Sequence, residues 1–108
     1  MALTQAFAPS GNTASSTITG SSQSVQFNSQ TGGASGFGGY QVRVHNSSTQ
    51  TAFINFGTSS SVTASTTTSL PLPPGDVEVF TVPFQTAYVA VIGTSATGTF
   101  YATPGEGV

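Results

Sequence analysis

Tyr40-Gln41-Val42-Arg43-Val44-His45-Asn46, followed after a short polar break by Thr51-Ala52-Phe53-Ile54-Asn55-Phe56-Gly57, decides the fold class. In the first stretch Tyr40, Val42 and Val44 fall on one side of an extended chain and Gln41, Arg43 and His45 on the other, the period of two that a half-buried strand needs. The second stretch repeats the pattern with Ala52, Ile54 and Phe56, and Gly57 stops it. The residues between, Asn46-Ser47-Ser48-Thr49-Gln50, are turn formers, so the pair reads as an antiparallel hairpin.

Downstream, Leu70-Pro71-Leu72-Pro73-Pro74-Gly75 cannot lie in a helix or a central strand. Three prolines remove backbone donors and fix φ near −65°. The segment reads as an extended crossover ending in a turn, with Gly75 after Pro74 at the position that requires positive φ. Residues 77–82, 86–92 and 98–103 then read as three strands of a meander. Between the two halves, residues 58–69 are a Ser/Thr run with Val62 and Ala64 as its apolar members, either an edge strand or a loop.

Upstream, residues 1–39 are mostly Ser, Thr, Gly, Gln and Asn. Ser15-Ser16-Thr17-Ile18-Thr19 and Ser24-Val25-Gln26-Phe27-Asn28 carry strand patterns, and the glycine-rich run around Gly36-Phe37-Gly38 reads as a loop. No window shows helical spacing of apolar residues with capping signals. Seven to nine short strands in 108 residues give a single-domain, all-β antiparallel sandwich or jelly roll. Within that one domain residues 40–108 hold the sandwich core. Residues 1–39, poorer in apolar side chains, form a partly stranded segment expected to act as an arm.

Composition narrows the function. The chain has one Lys or Arg, three Asp or Glu, one His and no Cys, and its net charge is −2. A single arginine cannot neutralise a run of phosphates, which argues against nucleic-acid binding and against a polybasic membrane patch. No apolar run approaches the roughly 20 residues of a spanning helix. Residues 1–10 lack the charged and apolar regions of a secretory leader, so synthesis in the cytoplasm is expected. Without cysteine there is neither a disulfide framework nor a thiolate metal site. The neutral Ser/Thr surface offers little colloidal repulsion and suits an assembled state.

The chemistry-bearing residues are few. His45, Asp76 and a serine could be drawn as a triad, but no nucleophile elbow or other local signature supports it, and catalysis is not expected. Asp76 and Glu78, two apart on a strand, read as a solvated face, and no calcium-loop pattern surrounds them, so neither metal nor cofactor is expected. Gly36-Phe37-Gly38 opens like a dinucleotide fingerprint, yet Gln41 stands in the third glycine's place. Asn46-Ser47-Ser48 matches the glycosylation sequon, a triplet that arises by chance in so Ser-rich a chain. The residues left for a partner interface are Phe37, Phe53 and Phe84, together with Arg43 and His45 on the polar side of their strand.

The ordered set Arg43-Val44-His45-Asn46, Phe53-Ile54-Asn55-Phe56-Gly57, Pro74-Gly75-Asp76-Val77-Glu78-Val79-Phe80 and Thr103-Pro104-Gly105-Glu106-Gly107 resembles small structural proteins of tailed bacteriophages, over residues 40–107. The resemblance implies a non-enzymatic virion component, first of all a capsid decoration or cement protein. Such a protein would sit on the outer head surface, bind the major capsid protein, and form a homo-dimer or homo-trimer. A tail, neck or head-fibre part, or a carbohydrate-binding module, are the alternatives.

Overall fold

The computed structural model describes residues 8–9, 13–27, 39–83, 86–95 and 98–106. Nine strands occur among them: β1 (Ala8–Pro9), β2 (Ala14–Ile18), β3 (Gln23–Gln26), β4 (Gly39–Asn46), β5 (Ala52–Gly57), β6 (Leu70–Leu72), β7 (Val77–Pro83), β8 (Tyr88–Ile92) and β9 (Gly98–Glu106). They form two antiparallel sheets. In the first, β9 lies between β4 and a lane shared by β1 and β2, and β7 forms the far edge; the second runs β3-β8-β5-β6. The accessible surface is 5645 Å², close to the roughly 5,500 Å² expected of a folded chain this size. The molecule is a β-sandwich, as the sequence pattern predicts.

Successive strands from β2 onward change sheet at every step but β5 to β6, the winding of a jelly roll. Two expectations fail here. β4 pairs with β7 and β9, while β5 pairs with β6 and β8, so the two deciding strands are not a hairpin. Each has one apolar side, and these sides face each other across the core instead of lying abreast in one sheet. The connection between them is an arch built on the Asn46 side chain, which is fully buried. Its Nδ2 donates to the carbonyls of Gln50 at 2.8 Å, Leu72 at 2.9 Å and Pro73 at 3.2 Å, and its Oδ1 accepts from the Ser48 N–H at 2.9 Å and hydroxyl at 2.6 Å. A buried polar group so fully paired fixes the crossing.

The meander fails for the same reason, because β7 and β9 lie in one sheet and β8 in the other. The uninterrupted apolar run Tyr88-Val89-Ala90-Val91-Ile92 is that of a central strand covered on both faces, not of a meander with one wet side.

The core lies between Val42, Val44, Phe100 and Ala102 of the first sheet and Ile54, Leu72, Val89 and Val91 of the second. Phe27, Phe56 and Phe80 close one end, with ring centroids 6.0 Å and 5.7 Å apart in edge-on contacts. Phe100 is fully buried in this core, and Phe56 and Phe80 pack against it half-buried; the Tyr40 side chain lies outside the described residues. β2 and β3 bring Ile18 and Phe27 into this core, so residues 13–27 of the N-terminal segment are sandwich strands.

Proline marks the edges. Pro71 sits in edge strand β6, Pro83 ends edge strand β7, and Pro104 falls where the lane against β9 is broken between β1 and β2, so no ladder needs the missing N–H. Gly75 has φ +75°. The Asp76 N–H donates to the Pro73 carbonyl at 3.1 Å, making Pro73-Pro74-Gly75-Asp76 the expected proline–glycine turn.

Candidate assembly surface

The sandwich has two outer faces. On the second sheet, residues 58–69, open in the sequence between edge strand and loop, form a loop that folds over its own strands. Ser24 Oγ donates to the Ser60 carbonyl at 3.0 Å, Asn55 Nδ2 to the Thr63 carbonyl at 3.0 Å, and the Ala64 N–H to Ser22 Oγ at 2.9 Å. Ser24 and Asn55 flank Ala90 on either side, and under the loop Ala90 has no exposed surface. Gly57 makes room for it: a Cβ there would stand 2.7 Å from Cβ of Val62.

The outer face of the first sheet carries no such cover among the described residues. The register places Val77, His45, Tyr101 and Ser15 in one row across β7, β4, β9 and β2, and Val79, Arg43 and Thr103 in the next. His45 and Tyr101 stack with centroids 6.0 Å apart and planes at 23°. Thr13 and Thr103 share a hydrogen bond between hydroxyls at 2.8 Å. Val77 is 40% exposed, Val79 38% and Tyr101 38%. Exposed apolar and aromatic area thus lies beside the cation Arg43 on this face.

The structure therefore brings two expected interface residues, Arg43 and His45, onto one face. Phe53 is half-buried on the outer face of the other sheet, opposite Pro71 and Ile92, and does not join them. Phe37 and Phe84 lie outside the described residues. Val77, Val79 and Tyr101 are missed by sequence reasoning, because alternation along Val77-Glu78-Val79-Phe80 does not say which phase faces inward. Here Phe80 and Val82 do, and Glu78, opposite the buried Val44, lies in their phase at the rim.

That rim holds a groove of about 380 Å³ between β6 and β7, lined by Leu70, Leu72 and Phe80 with Asp76 and Glu78. Asp76 and Glu78 stand two apart in sequence at this rim, where a hydrogen bond between their carboxyls counts among the causes of the Glu78 shift. That bond and the neighbouring Asp76 charge, with a smaller desolvation contribution, raise the Glu78 pKa above its ordinary value. His45 and Glu78 sit on opposite sides of their sheet, so the acid pairs with another acid and not with the imidazole. Asn46 of the sequon is sealed inside the arch. Among the described residues, no three His, Asp or Glu side chains gather as metal ligands would.

No family model matches this sequence, and no curated protein matches it. Among solved structures, a chain from work on Bacillus endospore appendages, described as a novel family of disulfide-linked pili, is similar with a TM-score of 0.58 at 18% identity, over 96% of this chain and 90% of that one. At this identity the likeness is one of fold.

Proposed function

We propose that this chain is a non-enzymatic structural protein that docks on a larger protein assembly through the outer face of its first sheet, which no described loop covers. The observation that carries the reading is the contrast between the faces: one sheet is capped by its own loop, while the other presents Val77, Val79 and Tyr101 around His45 and Arg43. Exposed apolar area with an aromatic and an arginine at its centre is the composition of a binding surface. In its finer form the reading is capsid decoration, bridging major capsid subunits on a virion's outer surface, supported by the resemblance of residues 40–107 to phage structural proteins.

The fold shared with a pilus chain favours a second reading, a subunit of a self-assembled surface filament. Such a filament would need a joint other than disulfides, since this chain has no cysteine.

Antibody labelling in electron micrographs of particles and filaments purified from the source separates the two. Label on phage heads supports decoration, label along filaments supports the appendage, and protein recovered solely free of any assembly overturns both. With one cation and three carboxylates, attachment rests on apolar burial and hydrogen bonds. The protein therefore stays bound in about 1 M NaCl, where charges are screened beyond about 3 Å.

A further inference from the structure

The edges of the two sheets are unequal. The lane of β1 and β2 is interrupted, β3 is the four residues Gln-Ser-Val-Gln, and β6 is three residues with Pro71 at its centre. Only β7, Val77–Pro83, is a long and largely apolar edge among the described residues, and its single charge is Glu78. Long apolar edges without lysine are templates for pairing with another chain.

The phase of β7 is fixed. The Asn46 N–H donates to the Asp76 carbonyl at 3.0 Å, so Val44 with Glu78 and Val42 with Phe80 are the hydrogen-bonded pairs of the β4–β7 ladder. The backbone N–H and C=O groups of Val77, Val79 and Thr81 consequently point away from β4, toward the open edge. Their side chains lie on the outer face of the first sheet.

We infer that β7 pairs antiparallel with β7 of a second copy of this chain about a two-fold axis at Val79, extending the first sheet through both copies. The sequence selects that register. Centred on Glu78, the two strands would set like carboxylates directly opposite each other, which is unfavourable. Centred on Phe80, they would set Pro83, with no N–H to give, opposite Val77. Centred on Val79, they join Val77 to Thr81, Val79 to Val79 and Thr81 to Val77, with each Glu78 opposite a Phe80. A strand is self-complementary in this way only when its charge and its proline fall off the axis, as they do here. Such a symmetric contact closes at two copies. It belongs with small, reversible interfaces, under about 1,200 Å² in total, so the dimer is populated at high protein concentration. The pairing stands apart from the docking proposal, because it is measured in free solution.

Single cysteines test it without background, the chain having none. Residues opposite each other in a hydrogen-bonded pair have Cα atoms about 5.5 Å apart, within a disulfide's reach of about 4.4–6.8 Å. At about 100 µM under mild oxidation, Val79→Cys should give a covalent dimer on a non-reducing gel. Val77→Cys and Thr81→Cys should each stay monomeric alone, like Thr17→Cys on the opposite edge, and cross-link when mixed. Val79→Pro removes an N–H that β4 does not use, and should weaken the dimer at least tenfold in sedimentation with the circular dichroism unchanged. If Val79→Cys cross-links no more than Thr17→Cys, or if all the single variants cross-link alike, the pairing is wrong, whether or not the protein docks on an assembly. The cysteine set decides the matter even if Val79→Pro fails to fold.

Discussion

The two sheets have similar strands and opposite exteriors. On the second, Ala90 is covered by a twelve-residue Ser/Thr stretch, residues 58–69, whose hydrogen bonds to Ser22, Ser24 and Asn55 hold it down. On the first, Tyr101 and two valines face outward beside His45 and Arg43. A polar loop can therefore complete a fold as a third layer would, and among the described residues the first sheet has no such cover.

The same charge placed on each face should have very different effects. Ala90→Lys buries an unpaired ammonium under the loop and should cost about 3–5 kcal/mol, whereas Thr17→Lys, exposed on the first sheet, should change stability by no more than about 0.5 kcal/mol. Equal urea midpoints would mean that the loop does not seal the second sheet. Gly75→Val comes next: at φ +75° a β-branched residue is strained, and the loss should be about 1–3 kcal/mol. Because nothing lies within 4 Å of its Cβ position, this variant measures backbone strain at the mouth of β7 free of any steric clash.

Gly57→Ala probes the loop from beneath. The new methyl meets Val62, and overpacking should cost about 1–2 kcal/mol, with faster hydrogen exchange in residues 58–65 but not in β4. Tyr101→Ser should cost about 0.5–1 kcal/mol through the lost stack with His45, yet weaken attachment to the assembly at least tenfold, as central aromatics do. A variant that binds normally would move the docking surface elsewhere.

The smallest effect is expected at Glu78. A carboxyl whose pKa is raised on folding contributes stability that is complete below its unfolded value and is lost as pH rises through the folded one. Glu78→Gln should therefore melt slightly higher than the parent at pH 7, and the difference should vanish toward pH 4. A difference of the opposite sign would mean that Asp76 does not crowd Glu78.

Most strands were legible from the sequence, although Leu70–Leu72, read as a crossover, forms edge strand β6 against β5; which strands become neighbours was not. Val42 and Val44, Ala52 and Ile54, and Ile18 and Val25 announce their strands by alternation, and Pro74-Gly75 announces its turn. Pairing is another matter, because alternation describes one strand at a time and is equally satisfied by side-by-side and face-to-face partners. One local sign was available: the unbroken run from Tyr88 to Ile92 demands cover on both sides, which places β8 centrally. The candidate surface was half legible. Arg43 and His45 share a polar phase that had to face outward, but the phase of Val77 and Val79 depends on Val44 lying opposite Glu78, a long-range register that no local pattern encodes.

The Asn46 arch bears on how long such a molecule lasts. An asparagine followed by serine ages when the next residue's nitrogen attacks its side-chain carbonyl carbon and expels ammonia, and water then opens the resulting succinimide to leave an acid. Here the Ser47 N–H is tied to the Thr99 carbonyl at 3.1 Å, and the amide nitrogen is held by three carbonyls that would repel the carboxylate replacing it. The network that joins the two sheets thus also shields a chemically fragile bond.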